Sequence, residues 1–145
     1  MFRTALFFIF IFLASCQFNS NKQSDEVLEK TVQTYENGTP HIIQLFKNGQ
    51  AIYQKEFYAD GKISMEGPLQ NGKREGEWKS YYENGNLWSS GFFKDGILNG
   101  ESKAYFPNGK LRYKGSFKNG EKTGTWIFYD ENGNRTGQKD FGTPK

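Results

Sequence analysis

The chain has few side chains that could perform covalent or metal chemistry, and their spacing argues against most kinds of site. His41 is the only histidine and Cys16 the only cysteine among the 145 residues. A metal site built on two histidines, a Cys–His nucleophilic pair and an internal disulfide are therefore excluded. Neither a Gly-x-Ser-x-Gly motif nor a glycine-rich phosphate loop occurs. His41 follows Pro40 and is predicted to lie in a loop or at a strand edge.

One acidic stretch, DENGN at 130–134, has the composition of a calcium-binding loop. An EF-hand loop needs Gly directly after its third ligand and a bidentate Glu at position 12. Here Arg135 follows Asn134, and Phe141 stands where that Glu is required. We therefore predict a hairpin turn and no metal site. Carboxylates in exposed turns have nothing to raise their pKa for acid–base work, so we expect no catalytic residue, no cofactor and no enzyme activity.

The first sixteen residues, MFRTALFFIFIFLASC, have the pattern of an export signal. Arg3 supplies a positive n-region, and residues 5–13 form an apolar run that is too short to span a bilayer. Residues 13–16, Leu-Ala-Ser-Cys, resemble the lipobox of bacterial lipoproteins, in which the cysteine is acylated and becomes the mature N-terminus. The resemblance implies that Cys16 is lipidated and anchors the protein in the cell envelope, at the outer membrane if the source is Gram-negative. An ordinary secretory peptide with a chance cysteine is the alternative.

Three segments are predicted from these features. Residues 1–15 form a lipoprotein signal peptide, residues 16–32 a lipidated N-terminus with a flexible tether, and residues 33–143 a repeat domain. The tether begins with a polar stretch and has no apolar period of two. A short helix over Asp25 to Val32 is an alternative for its end.

Nine Asn-Gly or Asp-Gly dipeptides recur along the rest of the chain. Their glycines are 11, 12, 11, 13, 11, 13, 11 and 13 residues apart, so two alternating turns define a unit of 24 residues. Such dipeptides favour type I′ hairpin turns, and the segments between them are rich in Tyr, Phe and Trp. The pattern predicts an all-β fold, an elongated antiparallel meander of up to ten strands in about 4.5 repeats of 23–24 residues.

Pairing across two-residue turns sorts the side chains onto two faces of the predicted sheet. With Asn84-Gly85 as such a turn, Trp78 stands opposite Gly91 and Tyr81 opposite Trp88. One face, the core face, collects Trp78, Tyr82, Leu87, Phe93, Leu98, Phe106, Leu111, Phe117, Trp126 and Phe128. The other, the mixed face, collects Lys79, Tyr81, Trp88, Phe92, Lys103, Tyr105, Arg112, Lys114 and Tyr129.

Glycines inside the strands are expected to form a column on the core face. The predicted opposite pairs are Gly67 with Gly76, Gly91 with Gly100, and Gly115 with Gly124. A column without side chains leaves room for a large ring against the backbone. Trp78 and Trp126 are therefore predicted to lie flat on neighbouring strands.

The pattern Tyr113-x-Gly115-x-Phe117-x-Asn119-Gly120-x-x-x-Gly124 resembles a MORN repeat. Together with Tyr-Tyr-x-Asn-Gly-x-Leu at 81–87 it resembles the bacterial MORN-variant repeat, and the resemblance covers residues 35–141. It departs from the family pattern at the second glycine of Gly-x-Gly, which is Trp78, Ser102 or Trp126 here. The resemblance implies an elongated sheet of successive hairpins that serves as an interaction or membrane-associated module. Some bacterial members are labelled antitoxins of toxin–antitoxin pairs.

From these features we expect a non-enzymatic cell-envelope lipoprotein whose repeat sheet binds a protein or an envelope glycan. The nine residues of the mixed face are the candidate contact surface, because aromatic and basic side chains suit such partners. A homodimer through the apolar core face is a further expectation, since one sheet layer leaves that face uncovered. An antitoxin or immunity protein and a cell-wall glycan-binding module remain as alternatives. Nucleic acid is not expected because the net charge is only +3.

Overall fold

The computed structural model describes residues 26–143, which form a single antiparallel sheet in which successive strands are neighbours. The strands are β1 (Val27–Thr34), β2 (Pro40–Lys47), β3 (Gln50–Phe57), β4 (Ile63–Gln70), β5 (Lys73–Arg74), β6 (Gly76–Tyr81), β7 (Leu87–Lys94), β8 (Ile97–Tyr105), β9 (Leu111–Lys118), β10 (Glu121–Tyr129) and β11 (Arg135–Asp140). β5 and β6 are two parts of one ribbon, so the meander has the ten ribbons predicted from its turns. The all-β prediction is confirmed. Within this range no helix is long and apolar enough to cross a membrane.

The sheet begins earlier in the chain than predicted. β1 pairs with β2 from Val27 opposite Lys47 to Thr34 opposite Pro40. The prediction of a tether over 16–32 is therefore wrong from Val27 onward, and so is the alternative of a helix there. All eight residues of β1 are exposed, which explains why no apolar alternation marked them as a strand. The predicted signal peptide and Cys16 lie outside the described residues.

Two kinds of turn alternate along the meander. On one rim, Asn48, Asn71, Asp95 and Asn119 have φ between 51° and 52° and each is followed by a glycine of positive φ, as a type I′ turn requires. On the other rim the loops have three residues. In the loop after β6, for example, the Gly85 N–H donates to the Tyr82 carbonyl and the Tyr82 N–H donates to the Asn86 carbonyl.

The three-residue loops are type I turns followed by a glycine in the left-handed region, such as Gly85 with φ of 86°. The prediction of type I′ geometry for all nine dipeptides is therefore wrong for those at Asn37, Asp60, Asn84, Asn108 and Asn132. We call the side of the sheet with the two-residue turns the type I′ rim, and the opposite side, with the three-residue loops, the three-residue rim.

Glycine-containing bulges interrupt the pairing near the type I′ rim. Gly91 pairs with Ser102 and Phe93 with Leu98, so the single residue between them in β7 lies opposite three residues, 99–101, of β8. Gly100 lies in this bulge with φ of 133°, a conformation that glycine adopts without strain. Gly76 and Gly124 hold the equivalent places, with φ of 71° and 61°. The predicted pairing of these three glycines with Gly67, Gly91 and Gly115 is wrong, because the bulge shifts the register by two residues.

One cross-strand row carries the core of the sheet. It runs through Gly67, Trp78, Gly91, Ser102, Gly115 and Trp126. A Cβ atom at Gly67 would lie 2.5 Å from the Trp78 ring, and one at Gly115 would lie 2.2 Å from the Trp126 ring. The prediction that each tryptophan covers a neighbouring strand, against glycine backbone, is thus confirmed. Because both side chains are buried, each contributes about 1.5–3 kcal/mol to stability.

Candidate functional site

The register places the nine predicted contact residues on the mixed face. A cross-strand row on this face runs through Lys79, Ser90, Lys103, Lys114 and Ile127, one residue from each of β6 to β10. The other candidates stand two residues from this row along the same strands: Tyr81, Trp88, Phe92, Tyr105, Arg112 and Tyr129. Because side chains alternate along a strand, seven of the nine project from the same side of the sheet as this row. Trp88 and Arg112 follow the same alternation within β7 and β9, although each stands at a bulge in the pairing.

Trp88 and Arg112 occupy equivalent bulges in successive repeats. Tyr81 stands opposite Leu87, so the predicted pairing of Tyr81 with Trp88 is wrong. Trp88 has no direct partner because β7 bulges there, and Arg112 holds the same place in β9. Bulges re-aim side chains. Both residues are exposed, and the Trp88 ring lies 6.0 Å from that of Tyr82.

Phe92 is a second large aromatic side chain that reaches solvent on this face. It is 42% exposed, compared with 48% for Trp88, which stands four residues earlier in the same strand. A Cβ atom at Gly100 would lie 2.9 Å from the Cβ of Phe92, so the bulge glycine makes room for the base of this side chain. Two exposed aromatics therefore lie on one face of one strand.

The basic residues of the mixed face are only partly neutralised. Lys79 Nζ lies 3.4 Å from a Glu77 carboxylate oxygen, and Lys103 Nζ lies 2.9 Å from one of Glu101. The hydrogen bond to Glu101 raises the pKa of Lys103. Lys114 stands directly opposite Lys103, and no ion pair of Lys114 is found within residues 26–143. Neither glutamate was predicted, although each stands two residues before its lysine and hence on the same face.

The hydroxyl of Tyr81 is used within the sheet. It donates a hydrogen bond of 2.8 Å to Glu66 Oε1. Burial, this hydrogen bond and the Glu66 charge raise the pKa of Tyr81 to about 12. Burial and the same carboxylate also raise the pKa of Tyr53. Neither Glu66 nor Tyr53 was predicted, because only the pairing of β3, β4 and β6 brings them to Tyr81.

A cation covers each buried tryptophan on the core face. The Arg74 guanidinium lies 4.3 Å from the centre of the Trp78 ring, and Lys122 Nζ lies 4.5 Å from that of Trp126. Cation–π contacts of this kind contribute about 0.5–2 kcal/mol. These contacts were not predicted, although a cation precedes each tryptophan by four residues.

The same face carries a groove of about 200 Å³ near its centre, where Ser102 takes the place of a tryptophan. Aromatic side chains at its edges include Trp78, Phe93, Tyr113 and Phe117. Tyr113 was not assigned to the core face, although its alternation with Leu111 and Phe117 in β9 was the signal for it. The groove is therefore a further surface, besides the mixed face, that could receive a ligand.

The acidic stretch forms the predicted hairpin turn. Asp130 Oδ1 accepts hydrogen bonds from the N–H groups of Asn132 (2.9 Å) and Asn134 (2.8 Å). Hydrogen bonds from Asn134, above all from its backbone, lower the pKa of Asp130. His41 lies near the start of β2 and stacks on Tyr35, with ring centres 4.5 Å apart. In the described part of the chain no three His, Cys, Asp or Glu side chains are grouped to hold a metal ion.

Comparison with known proteins identifies the repeats. A family model described as "MORN repeat variant" matches residues 53–71, 74–95, 98–119 and 122–141, which is more than half of the chain. No curated protein matches the chain. Among solved structures it is similar to one described as "Glycosylation Associate Protein (Gap123) complex from Streptococcus agalactiae", with 18% identity and a TM-score of 0.46. That match covers 79% of this chain and 20% of the other, so this chain spans about a fifth of the length of its neighbour.

Proposed function

Because this chain belongs to the MORN repeat variant family, whose repeats are binding-type modules, we propose that it is a cell-envelope lipoprotein that binds a protein partner through its mixed face. The exposed pair Trp88 and Phe92 carries the proposal. Aromatic residues and arginine are enriched in the contact residues that dominate binding energy at protein interfaces. Trp88 and Phe92 have Arg112 and Lys114 on the same face, two strands away.

The exposed aromatics are not needed to fill the core. Among the described residues the buried hydrophobic side chains are Trp78, Ala104 and Trp126, all on the opposite face. A single exposed apolar residue is ordinary on a protein surface. Two large aromatics on one strand, with arginine and lysine two strands away on the same face, have instead the composition of an interface centre.

Charge on the mixed face favours a partner with acidic groups. Lys103 and Lys114 stand directly opposite each other, an arrangement that is destabilising in an antiparallel pair. Glu101 is bonded to Lys103, which leaves the positive charge of Lys114 for a ligand. A carboxylate of the partner placed there would relieve the repulsion and fix the orientation of the complex.

Binding is tested by replacing both aromatics in the membrane-anchored protein. The double variant Trp88→Ala/Phe92→Ala should lower quantitative cross-linking to the native partner at least tenfold, since each such anchor is worth about 2 kcal/mol or more. The matched control is Ile97→Ala, which removes a 52% exposed apolar side chain at the type I′ rim. Circular dichroism checks that both variants are folded.

Equal cross-linking of the double variant and the control would refute the mixed-face assignment. If the double variant instead lost sedimentation with purified cell-wall polysaccharide and kept its protein cross-links, the ligand would be a glycan.

The anchor has its own test, since the proposal places the protein in the cell envelope through acyl chains on Cys16. Cys16→Ser should move the protein from the membrane fraction to the soluble fraction and abolish incorporation of a labelled fatty acid. Retention of the label after this substitution would show that another residue is acylated.

A further inference from the structure

Among the three repeats that follow Gly67, the middle one departs from the pattern of the other two on the core face. Three equivalent pairs of residues, 24 residues apart, are Arg74 with Trp78, Leu98 with Ser102, and Lys122 with Trp126. In the outer two pairs the cation lies over the indole ring, at 4.3 Å and 4.5 Å from its centre. In the middle pair, Leu98 stands in place of the cation and Ser102 in place of the tryptophan. Its repeat therefore lacks the ring and also the cation that accompanies it.

The backbone that receives an indole is nevertheless kept in the middle repeat. In the outer repeats the ring lies on a strand glycine, and Nε1 donates to the carbonyl of the next residue, at 2.8 Å for Trp78 and 3.2 Å for Trp126. The corresponding residues of the middle repeat are Gly91 and Phe92. No side-chain N–H among residues 26–143 donates to the Phe92 carbonyl. The middle repeat therefore keeps the glycine, Gly91, and the adjacent carbonyl acceptor of Phe92, but it has no indole to occupy them.

The space that remains is the groove of about 200 Å³. Gly91 and Ser102 lie at its base, and Trp78, Phe93, Tyr113 and Phe117 contribute aromatic surface around it. Leu98 extends over part of Gly91, with Cδ2 3.0 Å from where a Cβ atom would be. A cavity of about 150 Å³ is sufficient for a benzene-sized ligand. The groove is thus large enough for one aromatic side chain.

The charge at the edge of the groove indicates what should accompany that ring. Among residues 26–143, Arg74 is the one charged residue that lines the groove. Its guanidinium lies 3.6 Å from the nearest Glu56 oxygen, which is longer than a charge-assisted hydrogen bond of about 2.7–2.9 Å. Arginine donors are thus available for a second carboxylate at the edge of the groove.

We propose that this groove receives an aromatic side chain, flanked by an acidic residue, from a partner polypeptide. The partner's ring takes the place that a tryptophan of the chain itself holds in the outer repeats. This site lies on the face opposite Trp88 and Phe92, and it does not depend on the contacts proposed for them.

The probe for this site is N-acetyl-L-tryptophan, which carries both the ring and a carboxylate. Titrated into the full chain, it should shift the amide NMR signals of Gly91, Phe92 and Ser102, with a Kd of about 0.1–1 mM for a ligand of this size. N-acetyl-L-leucine, which lacks the ring, should bind at least tenfold more weakly.

The decisive variant is Ser102→Trp/Leu98→Lys, which gives the middle repeat the pair found at Lys122 and Trp126. It should fold and should weaken probe binding at least tenfold, because its own indole fills the groove. Ser102→Leu fills part of the groove without changing the charge and serves if the double variant does not fold. Trp88→Ala/Phe92→Ala should bind the probe like the wild type, so failure here and failure of the mixed-face proposal are distinguishable.

Three results would overturn the proposal. They are an absence of shifts at the groove, equal binding of the leucine probe, and undiminished binding by Ser102→Trp/Leu98→Lys and by Ser102→Leu. Shifts of the same amides by N-acetylglucosamine, without shifts by the tryptophan probe, would also overturn it in favour of a glycan. If light scattering shows that the wild type is a homodimer and that Ser102→Trp/Leu98→Lys is a monomer, the partner polypeptide is a second copy of the chain.

Discussion

At the scale of single residues, glycine is required at different positions of this repeat for two different reasons. Gly76, Gly100 and Gly124 have positive φ in their bulges, so they are required by backbone conformation. Gly67 and Gly115 lie against indole rings, so these two positions require glycine because it has no side chain. Substitution at the second class therefore tests packing and does not test backbone strain.

Gly115→Ala should destabilise the protein by about 1–3 kcal/mol, as expected when a well-packed site receives an extra methyl group. The added Cβ would lie 2.2 Å from the Trp126 ring. Gly137→Ala is the matched control, because a Cβ at this β11 glycine meets no atom within 4 Å. Urea unfolding of both variants measures the difference, with Gly137→Ala expected within about 0.5 kcal/mol of the wild type. Similar values for the two variants would contradict the packing explanation.

The bond between Tyr81 and Glu66 predicts a pH dependence. Folding raises the pKa of Tyr81 from 10.0 to about 12, so the folded state favours the protonated phenol. This contribution to stability is complete below pH 10 and is lost as the pH rises through about 12. Wild type should therefore lose stability relative to Tyr81→Phe across this interval, as followed by urea unfolding at several pH values. A constant difference between the two proteins would contradict the assignment.

At the scale of elements, the two rims join successive repeats in different ways. On the three-residue rim, tyrosine hydroxyls donate to carbonyls of the next repeat: Tyr35 to Phe57, Tyr58 to Tyr81 and Tyr82 to Tyr105. This ladder stops at Phe106, which has no hydroxyl to donate. On the type I′ rim the backbone makes the connection, as when the Gly120 N–H donates to the Leu98 carbonyl.

Extending and breaking the tyrosine ladder should have opposite effects. Tyr82→Phe removes a 2.8 Å hydrogen bond to the Tyr105 carbonyl and should cost about 0.5–1.5 kcal/mol. Phe106→Tyr adds the hydroxyl that the fourth turn lacks and should stabilise the protein by about 0.5–1 kcal/mol. Thermal and urea unfolding compare both variants with the wild type. A loss of stability in Phe106→Tyr would show that the ladder geometry ends before this turn.

At the scale of the whole molecule, the sheet behaves as a linear array. Strong contacts join only strands that are neighbours in the sequence, apart from the β4–β6 contact across the two-residue β5. In such arrays stability is approximately a sum of repeat and nearest-neighbour terms. The central strands have a neighbour on both sides and the buried indoles beside them, whereas β1 has one neighbour and eight exposed residues.

Hydrogen exchange should follow this arrangement. Amides of β1 should exchange through local opening, at a much lower free energy than those of β7 and β8, whose exchange should require larger-scale unfolding. Mass spectrometry of peptides from 27–34 and 87–105 makes the comparison directly. Uniform protection across the sheet would mean that the array unfolds as a single cooperative unit.

The surroundings of the candidate contact residues were predictable only in part. Alternation along each strand was enough to assign Lys79, Trp88 and Lys103 to one face. It could not identify the carboxylate of Glu66, because the contact with Tyr81 depends on the pairing of β4 with β6. The groove was missed for a similar reason, since its aromatic residues come from β6, β7 and β9 and meet only once the register is set.

The sequence by itself determined the fold class, the limit of ten ribbons that nine turns set, and the placement of Trp78 opposite Gly91. These features follow from local preferences, namely positive φ at Asn-Gly and Asp-Gly turns and side-chain alternation between them. Only the tertiary structure decided between two-residue and three-residue loops, placed the bulges at Gly76, Gly100 and Gly124, and added β1. Asn-Gly is compatible with both loop types, and bulges and edge pairing depend on hydrogen bonds between strands. Those bonds are formed by partners that local sequence does not specify.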